Sequence, residues 1–263
     1  MYAFELVRPK TLEDAVAALA DEGAQPLSGG QTLIPTMKQR LAGPTVLVSL
    51  LGIEGLSGLR DGPGGSLAIG GATRHAVVAR EAKARFPALA YLAGRIGDPA
   101  VRNRGTIGGS IANNDPSACY PSAALATGAT IVTNTREIPA DDFFQGLFTT
   151  ALDPGEIVTE VRFPVPQAAA YQKFEQPASH FPLVGVFVAQ FADRVGVAVT
   201  GASESGVFRW REAEAALASE FSPGAVAGLS VPADGLIGDL HGTPDYRAHL
   251  IGVLTRRAVA AAA

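Results

Sequence analysis

The sequence has few of the residues that bind metals or form disulfides. Its 263 residues include one cysteine, Cys119, and 4 histidines. A single cysteine excludes an intrachain disulfide and a cysteine-ligated metal or iron–sulfur site within this chain. The histidines, His75, His180, His241 and His249, are scattered along the sequence, so we expect no metal site.

The sequence also lacks long apolar runs and runs of basic residues. No apolar stretch approaches the roughly 20 residues that span a bilayer, and residues 1–5 lack the basic start and apolar core of a signal peptide. We therefore expect no membrane insertion and a cytoplasmic protein. With 21 basic and 25 acidic residues, nothing indicates a nucleic-acid partner. An apolar content of 47% supports a sizeable core in one large domain or two modest ones.

The most informative feature that is present is a pair of glycine–glycine turns, one in Pro26–Leu33 and the other in Thr106–Ile111. Adjacent glycines let backbone N–H groups point into one concavity that holds a phosphate. Two such turns suit a ligand with two phosphates, so we expect a dinucleotide. No G-x-G-x-x-G follows a strand and no G-x-x-x-x-G-K-[ST] occurs, so this binding is of neither the Rossmann nor the P-loop kind.

Apolar periodicity and turn residues predict short strands alternating with helices. Strands are predicted over 4–7, 45–50, 67–70, 130–133 and 157–161, with helices opened by Thr11, Thr32, Thr73, Pro87 and Pro121. The prolines of residues 164–167 predict a linker. Beyond it, residues 187–191 and 195–199 predict a β-hairpin. The remainder, from about Trp210, is predicted to be helical.

Five segments together resemble the flavoprotein (medium) subunit of molybdenum hydroxylases, the family of carbon monoxide dehydrogenase and xanthine dehydrogenase. They are Ser28–Lys38, Arg102–Ser110, Asp115–Pro116, Leu152–Ile157 and Lys173–Phe174. The resemblance extends more weakly over the C-terminal part, so it covers nearly the whole chain. The two long segments together are specific for this family, whereas either glycine pair alone is weak evidence for it.

The resemblance implies an α+β fold in which FAD lies between two subdomains. Residues 1–165 would form an FAD-binding domain of the vanillyl-alcohol-oxidase (PCMH) type, with subdomains of about 1–55 and 56–165. Residues 166–263 would form a smaller C-terminal domain of antiparallel sheet and helices.

The same resemblance implies an electron-transfer role. Substrate would be oxidised at a molybdopterin cofactor on a large partner subunit, and electrons would cross [2Fe–2S] clusters on a small partner subunit to FAD and then to an acceptor. FAD would be the only redox cofactor of this chain, within a dimer of heterotrimers. No side chain of this chain would act as a catalytic acid, base or nucleophile.

The resemblance also assigns cofactor-binding residues. The first pyrophosphate loop would be Ser28, Gly29, Gly30, Gln31, Thr32 and Leu33, and the second would be Thr106, Ile107, Gly108, Gly109 and Ser110, both using backbone N–H groups. Asn113 and Asp115 would lie beside the nucleotide. Taken alone, the first segment is more typical of a surface turn, and only its pairing with the second favours a ligand; the second is also compatible with a tight bend in a strand.

Cys119 and Lys173 complete the assigned set. The family usually has an aspartate at the position of Cys119, where it contacts a ribose, and a thiol is a poor acceptor, so this contact would be weakened. The alternative is that Cys119 is a small buried apolar residue. Lys173 aligns with a position beside the flavin or its phosphates, although a solvated surface lysine is as compatible with the sequence. His75 and His180 are interpreted as structural.

Two alternative functions stay open at this point. One is a self-contained flavin oxidase or dehydrogenase of the same fold, which would need its own titratable groups over the flavin. The other is a flavin-less structural subunit, which only the cysteine at position 119 favours.

Overall fold

The protein is described by a computed structural model that covers residues 1–262. It has an α+β fold built from three main sheets, which follow one another along the chain. A parallel sheet of three strands comes first, then an antiparallel sheet of five, then an antiparallel sheet of four; a two-stranded ribbon accompanies the second sheet.

The first unit is a small parallel sheet with its crossover helices. Its elements are β1 (Glu5–Val7), α1 (Leu12–Leu19), β2 (Ala24–Leu27), α2 (Leu33–Lys38) and β3 (Val46–Ser49), with the strand order β1-β3-β2. Thr11 caps α1 by accepting a hydrogen bond from the N–H of Asp14 at 3.1 Å, as predicted. Because parallel strands need a crossover, α1 connects β1 to β2 and covers the sheet with Ala15 and Leu19. The first glycine pair directly follows the carboxyl end of β2.

The second unit is an antiparallel sheet covered by helices. Its strands are β4 (Leu59–Asp61), β5 (Leu67–Gly70), β6 (Thr130–Thr133), β7 (Glu137–Pro139) and β10 (Val158–Phe163), ordered β4-β5-β10-β6-β7, with the ribbon β8 (Phe144–Gly146) and β9 (Thr149–Thr150). Its helices are α3 (His75–Glu81), α4 (Pro87–Gly94), α5 (Pro99–Arg102), α6 (Ile107–Asn113), α7 (Tyr120–Thr127) and α8 (Ala140–Phe143). All residues of α7 are buried, because it lies between this unit and the third sheet.

The third unit is an antiparallel sheet with helices on one face. Its elements are β11 (Ala168–Glu175), β12 (Pro182–Gln190), β13 (Val195–Thr200), β14 (Phe208–Arg209), α9 (Arg211–Ser219) and α10 (Pro244–Ala262). The predicted hairpin is confirmed, since β12 and β13 pair antiparallel. One face of the sheet joins the core around α7 through Tyr171 and Phe187, and the other packs on α9 and α10.

The prediction of continuous helix beyond Trp210 is wrong for residues 220–243. This stretch contains one turn of 3₁₀ helix, Pro223–Val226, and is otherwise turns and extended chain. Pro223, Pro232 and the glycines between them interrupt the alanine-rich pattern, because proline removes a helical hydrogen bond and glycine disfavours the helix. In the described part of the chain, no helix combines the length and the apolar character needed to cross a membrane.

Candidate cofactor site

The two glycine pairs, 79 residues apart in the sequence, meet in space. The Ser28 and Thr106 hydroxyls are 2.7 Å apart and share a hydrogen bond. A Cβ atom on Gly29 would lie 2.3 Å from the carbonyl oxygen of Arg104 and 2.6 Å from Cα of Gly105. Only glycine permits this approach of two backbones, so the residue type at position 29 is explained by the contact.

The first glycine segment presents free backbone donors. Gly30 has a φ of +69°, which turns the chain between β2 and α2. Within residues 1–262, the N–H groups of residues 29–32 have no protein acceptor. Since unpaired N–H groups of successive residues form anion-binding concavities, this segment retains the donors that a phosphate requires.

The second glycine segment is arranged differently from the prediction. Thr106 caps α6 by accepting from the Gly109 N–H at 3.2 Å, so both glycines lie in the first turn of a helix. The N–H groups of Ile107, Gly108 and Ser110 donate to Thr73 O at 3.0 Å, Gly71 O at 2.8 Å and Thr106 O at 3.0 Å. The expectation of free backbone donors here is therefore corrected: these N–H groups are already used, and the segment offers side chains such as that of Ser110.

The glycine at position 108 has a packing role. A Cβ atom there would lie 2.6 Å from the Gly71 carbonyl oxygen, and one on Gly71 would lie 2.2 Å from that of Val158. These contacts hold α6 directly against the end of β5 and the start of β10. The second glycine pair thus positions the helix and its side chains.

A cleft of about 660 Å³ opens where the two segments meet. Of the residues assigned from the sequence, thirteen line it: Ser28, Gly29, Gly30, Gln31, Thr32, Leu33, Thr106, Gly108, Gly109, Ser110, Asn113, Asp115 and Cys119. Ile107 does not, because its side chain is fully buried in the core. Lys173 does not line the cleft either. The fold therefore gathers most of the assigned residues around one cavity.

Lys173 lies one layer behind Cys119. Its ammonium group donates to the carbonyl oxygens of Arg95 at 2.5 Å and His180 at 2.7 Å and lies 3.8 Å from Cys119 Sγ, with only 2% of the side chain exposed. The interpretation of Lys173 as a solvated surface residue is wrong. Burial raises the pKa of the Cys119 thiol despite the Lys173 charge, so the cleft wall here is a protonated thiol.

Several cleft residues were not assigned from the sequence. His75, Ile96, Gly97, Glu156, Ile157, Val158, His180 and Phe181 all line the cavity. Phe181 keeps 51% of its surface exposed, so the cleft has an aromatic side chain at its rim. The family-like segment Leu152–Ile157 was a signal for Glu156 and Ile157. His75 and His180 carried no signal beyond their residue type.

Glu156 is a lining residue of the cleft that is fixed by several hydrogen bonds. Its carboxylate accepts from the hydroxyls of Thr133 at 2.6 Å and Thr135 at 2.7 Å, from Arg136 Nη2 at 2.9 Å and from the Asp153 N–H at 2.8 Å. These donors, Arg136 above all, hold the pKa of the carboxyl well below its usual range against the opposing effect of burial. Glu156 is thus a buried anion that ties the turn after β6 to the strand β10.

We expect Glu156→Gln to destabilise the chain by about 1–3 kcal/mol. The amide loses the charge-assisted hydrogen bonds of the carboxylate, and its NH₂ group faces other hydrogen-bond donors. Urea unfolding at pH 7 measures this, with the exposed Glu54→Gln as the matched control. Since the native pKa is depressed, the stabilisation is present above pH 4.5 and is lost as the pH falls below it. Equal free energies of unfolding for the two variants would contradict the role of this carboxylate.

The cleft fits a dinucleotide cofactor on its own geometry. Its volume lies within the range of about 300–1,000 Å³ that is typical of cofactor pockets. It has free backbone donors at one wall, and the polar side chains of His75, Ser110 and Asn113 also line it. Fold and site together define a dinucleotide-binding α+β protein.

Comparisons with known proteins identify the family. Residues 2–166 match the family described as the FAD binding domain in molybdopterin dehydrogenase. The chain is 34% identical to the carbon monoxide dehydrogenase medium chain of Afipia carboxidovorans, over 98% of this chain and 96% of that one. It is 35% identical to the nicotine 6-hydroxylase medium subunit of Paenarthrobacter nicotinovorans, with the same coverage. The structure of reconstituted CO dehydrogenase from Oligotropha carboxidovorans superposes with a TM-score of 0.88 at 31% identity, covering 100% of this chain and 99% of that chain.

The chain therefore belongs to the FAD-binding medium subunits of the molybdenum hydroxylases. The expected PCMH-type fold is confirmed, FAD is the cofactor of this chain, and the chain is an oxidoreductase subunit. The flavin-less alternative is not supported by this membership.

Proposed function

We propose that this chain is the electron-transfer subunit of a molybdenum hydroxylase, receiving electrons from [2Fe–2S] clusters of a small partner subunit and passing them to an external acceptor. The observation that supports it most is the single cleft into which both glycine pairs converge, in a chain that spans 96% of a carbon monoxide dehydrogenase medium chain. Substrate would be oxidised at a molybdopterin cofactor on a large partner subunit. The proposal includes a dimer of heterotrimers and a cytoplasmic location.

Different residues of the cleft lining would bind different parts of FAD. The free N–H groups of residues 29–32 would bind phosphate oxygens, and the Ser110 side chain would face the nucleotide from the other wall. Phe181 would shield the rim from water. Bound FAD supplies the redox chemistry, while the protein supplies binding and orientation. We also propose the division at about residue 165, between the end of β10 and the start of β11.

Purification of the tagged full chain after co-expression with its neighbouring subunits tests this function. We expect one FAD per chain, iron and molybdenum in the same complex, and rapid bleaching of the flavin absorbance when the [2Fe–2S] clusters are reduced anaerobically. A Gly29→Val variant of this chain, defective in FAD binding, is the control for flavin-specific signal. An FAD-loaded chain that stays free of partners and oxidises a small substrate by itself would contradict the proposal and favour the self-contained flavin enzyme.

Cys119 offers a specific test of cofactor affinity. We expect Cys119→Asp to lower the FAD Kd by about tenfold, because a carboxylate accepts hydrogen bonds that a thiol does not and gains the Lys173 ammonium as a partner. Cys119→Ala, which also lacks an acceptor, should match the native chain. Titration of the FAD-free chain by flavin fluorescence measures all three. Nanomolar retention in the native chain, unchanged in Cys119→Asp, would show that the thiol does not weaken binding.

A further inference from the structure

We propose that His75 is a further cofactor-contacting residue, whose Nε2–H group donates a hydrogen bond to an oxygen of the FAD held in the cleft. The proposal rests on the cleft assigned above as the FAD site, and adds to it a residue that sequence analysis interprets as structural. His75 opens α3 and lines the cleft beneath the second glycine segment.

The imidazole ring of His75 is buried, but its nitrogen atoms lack hydrogen-bond partners within residues 1–262. Only 4% of His75 is exposed, and its Nδ1 atom is buried with no hydrogen-bond partner in the described part of the chain. Side-chain nitrogen atoms buried in this way normally have a partner. The ring is confined by Tyr120, at 5.4 Å between ring centroids, and by Gly105, on which a Cβ would lie 2.5 Å from Nε2. Its orientation is therefore fixed before any ligand arrives.

The position of the proton follows from which nitrogen can meet a ligand. Nδ1 is sealed from solvent, whereas Nε2 is not among the sealed atoms and has no hydrogen-bond partner within residues 1–262. A buried N–H without an acceptor is rarer than a buried acceptor without a donor, so we assign the proton to Nε2. Nε2–H is then a fixed, neutral donor at the cleft.

The second glycine segment explains why such a donor is needed. The N–H groups of Ile107, Gly108, Gly109 and Ser110 are all used within the protein. Donors on this wall must therefore come from side chains, and His75, Ser110 and Asn113 are side chains of the lining that can supply them. Donors on the opposite wall come from the backbone of residues 29–32. The two walls thus hold the same ligand by different means.

The test compares His75→Phe with His75→Gln in the full-length chain. Phenylalanine keeps the planar ring and removes the donor, whereas glutamine keeps an N–H donor. We expect His75→Phe to raise the FAD Kd by about tenfold and His75→Gln to stay within about threefold of the native chain. The melting temperature of the FAD-free His75→Phe chain should be unchanged within about 2 °C or raised, because the ring stays packed. The exposed His249→Phe is the matched control.

A spectroscopic measurement distinguishes a direct hydrogen bond between His75 and FAD from a packing role of His75. In ¹⁵N-histidine-labelled chain, the His75 Nε2–H resonance, identified by its loss in His75→Phe, should shift downfield and exchange more slowly with water when FAD is added. An unshifted resonance, or a His75→Phe chain that binds FAD within about twofold of the native chain, overturns the inference. Equal losses of affinity and stability in both variants overturn it too, by showing a packing role. A native chain that binds no FAD overturns the assigned site itself.

Discussion

Replacement of Gly29 by valine is expected to raise the FAD Kd by about 10- to 100-fold, the equivalent of the roughly 1–3 kcal/mol that overpacking costs. The Cβ of the new side chain would lie 2.3 Å from the Arg104 carbonyl oxygen and 2.6 Å from Gly105 Cα. Both are backbone atoms and cannot rotate away, so the two glycine segments must separate. Fluorescence titration of the FAD-free variant with FAD measures the effect.

Gly228→Val is the matched control for Gly29→Val. Gly228 lies in an exposed turn of the third unit, with ordinary backbone geometry, and a Cβ atom on it would meet no other atom within 4 Å. This variant should bind FAD like the native chain. If Gly29→Val binds FAD as tightly as Gly228→Val does, the contact between the two segments is not required and the two-wall site is contradicted.

Acidification is expected to destabilise the chain through His75, beginning near pH 6.5, which is above the pH at which carboxylates protonate. Burial, reinforced by the charge of Arg102, lowers the pKa of His75 from 6.5 to about 4. Between these values the unfolded chain binds the proton and the native chain does not, so stability falls as the pH falls. We expect a loss of about 2 kcal/mol between pH 7 and pH 5, rising to about 3 kcal/mol by pH 4.

Urea unfolding at pH 7 and pH 5 measures this dependence, and His75→Phe isolates it. The variant cannot take up the proton, so its stability should change less than that of the native chain over the same interval. Glu156 does not obscure the comparison, because its depressed pKa places its own effect below pH 4.5. An equal loss in the native and His75→Phe chains would show that His75 is not the group that titrates.

The meeting of the two glycine pairs was predictable from the sequence because two phosphate-binding turns suit one ligand with two phosphates. Residues 28–33 and 106–110 contain such glycine turns next to hydroxyl side chains, and their resemblance to a known family made the pairing specific. The same local information located α1 through Thr11 and the hairpin of β12 and β13 through the Ala192–Arg194 turn. The helix α1 and the hairpin each depend on neighbours within a few residues.

The sequence did not reveal that the backbone N–H groups of the second glycine segment donate hydrogen bonds within the protein. Whether the Gly108 N–H is free depends on Gly71, 37 residues earlier, and on the pairing of β5 with β10 that places Gly71 there. The burial of Lys173 similarly depends on the carbonyl groups of Arg95 and His180, which come from two different connections. His75 gave no signal, because an isolated histidine at a helix start does not reveal that its ring will be buried beside a cleft.

A crystal structure of the FAD-loaded chain is the most direct test of the cofactor site. We expect the pyrophosphate within hydrogen-bond distance of the N–H groups of residues 29–32, and an FAD oxygen within that distance of His75 Nε2. FAD bound outside the cleft between the two glycine segments, or a pyrophosphate held by the N–H groups of residues 107–110 with residues 29–32 left free, would contradict it.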